Sequence, residues 1–125
     1  MQLRLELVPL AVSDPDAAKA WYVEKVGFAC TVDVTPRPGM RVVQLTPPGS
    51  ACAVVFGTGM PDITDQVPGS TKALHLVTED LHAVRELLLS RGVDVRGVDD
   101  HGGGMLLSSF ADPDGNTWVL QQMPA

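Results

Sequence analysis

Basic residues are scarce in this chain. Nine Lys and Arg stand against fifteen Asp and Glu in 125 residues, a formal net charge of −6. That balance argues against nucleic acid as the main partner, because phosphate binding runs on clustered basic residues. It also argues against an anionic membrane surface and leaves neutral or cationic ligands. Cysteine is scarcer still, with Cys30 and Cys52 alone. Two thiols without a C-x-x-C pair exclude a disulfide scaffold and the common zinc and redox motifs. Both are expected to be reduced and buried. No apolar run reaches the roughly 18–20 residues of a membrane span. Met1-Gln2-Leu3-Arg4-Leu5-Glu6 lacks the apolar core of a signal peptide. A cytoplasmic location is therefore expected. Gly102-Gly103-Gly104 has neither the strand–loop–helix setting nor the Lys of a phosphate loop, and no G-x-S-x-G elbow occurs.

What is present fits an ordinary globular domain, with 45% hydrophobic and 19% charged residues. Residues 2–12 read as a strand covered on both faces, with Pro9 marking an edge or bulge. Asp14-Pro15-Asp16 is a helix start: a cap, a proline at the first position and an acid in the first turn. Trp21 and Tyr22 continue its apolar stripe, and Gly27 ends it. Strands are expected at 28–34, 40–46 and 51–56, with a loop at Pro36–Gly39 and a hairpin turn at Pro47–Ser50. Residues 57–71 are rich in Gly and Pro and read as a linker.

The second half repeats the first. A strand at 73–77 leads to a helix begun by Glu79-Asp80 and ended by Gly92. Short strands at 93–95, 105–111 and 116–122 follow, the last two hinged by Asp112-Pro113-Asp114-Gly115. Leu10–Asp14 aligns with Leu76–Asp80 at an offset of 66, and Gly27-Phe28 with Gly92-Val93 at 65. The expected architecture is α+β: one domain, 1–125, of two β-α-β-β-β modules. They span about 1–56 and 72–125, and form a cupped mixed sheet around a cleft with helices outside.

These residues resemble the vicinal-oxygen-chelate superfamily of glyoxalase, bleomycin-resistance and extradiol dioxygenase proteins. The likeness rests on Leu10-Ala11-Val12-Ser13-Asp14, Trp21-Tyr22, Gly27-Phe28, Glu79-Asp80-Leu81, Arg91-Gly92-Val93 and Asp112-Pro113-Asp114-Gly115-Asn116 before Trp118. The resemblance implies paired modules, often within a homodimer, and in its enzymes a divalent metal held by His, Glu or Gln. The corresponding positions here are Leu7, Val54, Ala73 and Val119, all apolar. Hydrocarbon side chains cannot coordinate a metal, so no metal and no other cofactor is expected.

The acidic pairs Asp14/Asp16, Glu79/Asp80 and Asp112/Asp114 are accounted for by caps and turns. No catalytic residue is assigned. Leu7, Val54, Ala73, His75, Val119 and Gln121 are expected to share the cleft-facing parity, joined by Met105 and Phe110 from a neighbouring strand and by His101 on the glycine-rich loop. Trp118 has the opposite parity and is expected beneath the helix. The reading is a metal-free, homodimeric small-molecule-binding protein that sequesters an apolar or aromatic ligand such as an antibiotic. The alternative is a lyase, isomerase or dioxygenase of the same superfamily with a non-standard or metal-independent site.

Overall fold

In the computed structural model, which describes residues 1–124, the chain divides into one unit of Met1–Ser70 and another from Thr71 onward. Each holds a four-stranded mixed sheet and one α-helix, an α+β arrangement of two like modules.

In the first unit, β1 (Leu7–Pro9), α1 (Pro15–Trp21), β2 (Ala29–Arg37), β3 (Met40–Thr46) and β4 (Ala53–Thr58) follow one another. The strand order is β1-β4-β3-β2, with β1 parallel to β4 and the other pairs antiparallel. The Asp14 carboxylate accepts from the Asp16 and Ala17 amides at 3.0 and 3.2 Å, capping α1. After Trp21 the helix widens into a π-helical turn, Tyr22–Val26, which Gly27 closes at φ +89°. The turn seats Tyr22 in the core, stacked on Phe28 at 5.5 Å.

Register fixes the two faces of this sheet. Val43 pairs with Phe56 and Leu45 with Val54, and all four are buried. Asp33 pairs with Val43 and so lies on their face. There Lys19 of α1 meets Asp33 at 2.8 Å, and Arg41 reaches Asp33 at 2.9 Å and Asp16 at 2.6 Å. These ion pairs identify the helix-covered face. Leu7, Pro9, Ala53, Val55, Val42 and Gln44 lie on the other.

Four expectations change here. The first strand is three residues long, because its partner begins only at Ala53, whose amide donates to the Glu6 carbonyl. The segment read as a loop at Pro36–Gly39 is strand through Arg37. It lies on the outer strand of the sheet with a bulge between Val34 and Arg37, where a proline costs no ladder bond. Cys30 is exposed because the outer strand is open to solvent along most of its length, and Cys52 is half-buried in the turn just before β4. The stretch 57–71 extends β4 and then folds back on its own unit. Met60 is buried, and the Gly69 amide donates to the Ala11 carbonyl at 2.9 Å.

The second unit runs β5 (Leu74–Val77), α2 (Leu81–Ser90), β6 (Asp99–Asp100), β7 (Leu106–Ala111) and β8 (Thr117–Gln122). The order is β5-β8-β7-β6, with β5 parallel to β8. Asp80 caps α2 through the Ala83 amide, and Gln122 Oε1 accepts from the Leu81 amide. Phe110, Trp118, Leu120 and Ser108 are buried on one face, with Leu81 and Leu88 of α2 also buried. Trp118 lies beneath the helix as its parity predicts, its ring stacked on Phe110 at 6.3 Å. The expected strand at 93–95 shrinks to a single bridge between Val95 and Phe110. Val93 and Val95 are spent on the core, and the ladder resumes only after Gly97, as β6.

The turn between β7 and β8 is closed by side chains. Asp112 Oδ1 accepts from the Asp114 and Asn116 amides, and Asn116 Nδ2 donates to Asp112 Oδ2 at 2.8 Å. Asn116 Oδ1 also accepts from the Thr71 amide, which fixes where β5 starts.

Candidate functional site

Each sheet has one face not covered by its helix, and these two faces differ in chemistry. In the first unit that face is hydrocarbon along β1 and β4, with Leu7 beside Ala53 and Pro9 beside Val55, while β3 adds Val42, the Gln44 amide and the Thr46 hydroxyl. Leu7 lies here as expected. Val54 does not. It pairs with Val8 and Leu45, is 5% exposed and belongs to the helix-covered core. The expected register is one residue off, and Ala53 and Val55 take its place. The run Ala53, Val54, Val55, Phe56 is buried on both faces, so hydrophobicity carries no parity signal.

In the second unit the corresponding face carries polar groups in rows. His75, Val119 and Ser109 are register neighbours across three strands. Val77, Gln121, Leu107 and Asp99 form the next row. Thr117 and Ala111 lie on the other side. His75, Val119 and Gln121 thus share a face, as their parity predicts. Phe110 does not. It pairs with Trp118 under α2 and is 3% exposed, so its place is in the core rather than on this surface. Ser109, Thr117 and Leu107 are absent from the sequence expectation, although counting by twos back from Val119 through the Asp112–Asn116 turn reaches them.

Ala73 lies just before β5, in a left-handed conformation at φ +58°. Its amide donates to Thr117 Oγ1 at 2.8 Å. Its carbonyl oxygen lies 2.8 Å from His75 Nδ1. His101 is exposed on the glycine-rich loop, whose neck is closed by hydrogen bonds from the His101 amide to the Met105 carbonyl and from the Met105 amide to the Gly102 carbonyl. Met105 is half-buried at that neck. An open depression of about 550 Å³ adjoins the loop, bordered by Gly104, Val77 and Met123.

The donor set decides whether a metal fits. The family positions carry Leu7, Ala73 and Val119, and the first-unit strand position offers Ala53, Val54 or Val55, whichever register is taken. Among the described residues no group of three or more His, Cys, Asp or Glu side chains could hold a metal ion. The residues present do not fit the family's divalent metal. No helix among the described residues is long and apolar enough to cross a membrane.

Comparison with known proteins agrees with this architecture. The sequence model of the Glyoxalase/Bleomycin resistance protein/Dioxygenase superfamily matches residues 4–120. TnmS3, described as an antibiotic binding protein from Streptomyces sp. CB03234, is 35% identical, with a TM-score of 0.83 over 99% of this chain and 98% of its own. A member of the same superfamily from Sphaerobacter thermophilus is 29% identical, with a TM-score of 0.84 over 98% of each chain. The uncharacterized protein YetH of Bacillus subtilis (strain 168) is 26% identical over 116 residues, 92% of this chain and 94% of its own.

Proposed function

The chain belongs to the Glyoxalase/Bleomycin resistance protein/Dioxygenase superfamily, and from that membership we propose that it binds and sequesters a small apolar or aromatic molecule, such as an antibiotic, without a metal ion. The observation that carries this reading is the hydrocarbon set at the family's metal positions, Leu7, Ala73 and Val119, with Ala53–Val55 on the remaining strand. Hydrocarbon at these positions can hold no Lewis acid to polarise a substrate oxygen, but it can exclude water from an organic ring. The 35% identity to an antibiotic-binding protein over nearly the whole of both chains supports the same class of ligand. The ligand contacts in this reading are Leu7, Ala73, His75, Val119 and Gln121, with His101 and Met105 at the loop. A homodimer and a cytoplasmic location belong to it too, the latter in keeping with two unpaired thiols.

The test is elemental analysis of untagged protein before and after incubation with Mn²⁺, Fe²⁺, Ni²⁺ and Zn²⁺. Less than about 0.1 metal per chain is expected, together with thermal stabilisation by members of an aromatic antibiotic panel. A stoichiometric metal that disappears in His75→Ala or His101→Ala would overturn the reading in favour of a lyase, isomerase or dioxygenase.

A further inference from the structure

The helix-free face of the second unit is rich in acceptors along its four strands. His75, Ser109, Thr117, Gln121 and Asp99 hold its polar positions, and no Lys or Arg occupies any register position on it. One of these groups is held in a defined state. In neutral imidazole one ring nitrogen carries the proton and the other a lone pair. The Ala73 carbonyl, 2.8 Å from Nδ1, can only accept, so Nδ1 is the donor. The lone pair is then on Nε2, and no hydrogen bond among the described residues reaches it.

This arrangement depends on a strained residue. Ala73 is one of two non-glycine residues at positive φ among the described residues, and its conformation is pinned by the Thr117 hydroxyl on its amide. Left-handed alanine is costly and persists where surrounding contacts hold it, often at functional surfaces. Here the strain turns a carbonyl toward His75, two residues on. Thr117 is a positioning residue for Ala73, and Ala73 for the imidazole.

We propose that His75 Nε2 is the specificity-determining acceptor of this face, and that the ligand presents an O–H or N–H donor to it from an apolar, aromatic body packed on Val119 and Leu107. The proposal rests on the small-molecule reading above and narrows its ligand class: neutral or cationic hydroxyarenes or arylamines bind, and aryl carboxylates or phosphates do not. The net charge of −6 acts in the same direction.

The experiment has a ligand-free arm and a ligand arm, both at alkaline pH where imidazole is neutral. Long-range ¹H–¹⁵N correlation spectra of the free protein report the tautomer directly. His75 is expected as the Nδ1–H form. Thr117→Val is expected to return it to a mixture, and Ala73→Gly, which accepts positive φ, to preserve it. A predominantly Nε2–H tautomer in the parent protein overturns the proposal.

The ligand arm titrates 2-naphthol, its methyl ether and 2-naphthoate. The naphthol should bind about fivefold more tightly than the ether, the worth of one net hydrogen bond, and 2-naphthoate should not bind. His75→Ala should abolish the naphthol–ether difference. Equal binding of naphthol and ether to the parent overturns the proposal and leaves the small-molecule reading standing. No binding of any of the three overturns both.

Discussion

Asn116 is fully buried, and its side chain holds two parts of the second unit together. Its Oδ1 accepts the Thr71 amide at 3.0 Å, and its Nδ2 donates to Asp112 Oδ2 at 2.8 Å. Asn116→Ala removes both bonds and leaves the turn's own backbone bonds to Asp112 Oδ1 intact. Loss of one acceptor by a part-buried amide costs about 1 kcal/mol, and a bond lost by a carboxylate about 2 kcal/mol. The expected loss is therefore about 3 kcal/mol. For a domain of this size that is a fall in Tm of about 12 °C. Urea denaturation followed by tryptophan fluorescence should show a lower midpoint with an unchanged slope. Asn116→Asp is the sharper control. It sets a second carboxylate against Asp112 and should cost more than alanine at neutral pH. The gap between the two variants should close in acid, where a proton restores a donor between the oxygens. A loss below about 1 kcal/mol in Asn116→Ala, or an aspartate variant as stable as the parent at neutral pH, would refute the reasoning.

The other predictions concern the first unit's ion pairs and the face assignment of Phe110. Hydrogen bonds from Arg41 and then Lys19 hold the Asp33 carboxyl well below the usual carboxylate range. A depressed folded-state pKa means stability that is present above the ordinary aspartate value and lost as pH falls below it. Unfolding curves of the parent should therefore weaken progressively below about pH 4, and Asp33→Asn should flatten that limb; an unchanged acid limb would show that the pairs contribute nothing. Phe110→Ala should cost about 3–5 kcal/mol, as for a core aromatic, when measured by urea denaturation. A cost below about 1 kcal/mol would return Phe110 to the ligand-facing surface.

Much of the fold is legible where local chemistry is decisive. Asp14 and Asp80 cap their helices because a short carboxylate satisfies the free amides of a first turn. Gly27 ends the first helical segment because only a residue tolerant of positive φ closes it cheaply. The Asp112–Asn116 turn writes itself into the sequence because each polar side chain in it has a backbone partner. Where long-range pairing decides, the sequence is quieter. Nothing local says that β1 starts only at Leu7, since that limit is set by where β4 begins, at Ala53. Nothing local says that Pro36 falls in a strand, since its tolerance depends on that strand lying at the edge.

The candidate surface divides along the same line. His75, Val119 and Gln121 fall together on one face, as the sequence indicates, because β8 alternates buried and half-buried residues and so advertises its parity. β4 does not alternate, because Ala53, Val54, Val55 and Phe56 are all buried. A one-residue slip there moves Val54 from the core to the open face with no penalty visible in composition, and only the ladder to β1 and β3 settles it. Phe110 departs from expectation for a related reason. An aromatic residue suits a ligand surface and a core equally well, and its pairing with Trp118 across the hairpin decides between them. The feature least legible of all is the left-handed Ala73. Alanine is chosen for that conformation by no propensity, so its presence there is a consequence of Thr117 on one side and His75 on the other. A residue that the local sequence does not favour is thus accounted for by contacts made from neighbouring strands and side chains, which no local rule can supply.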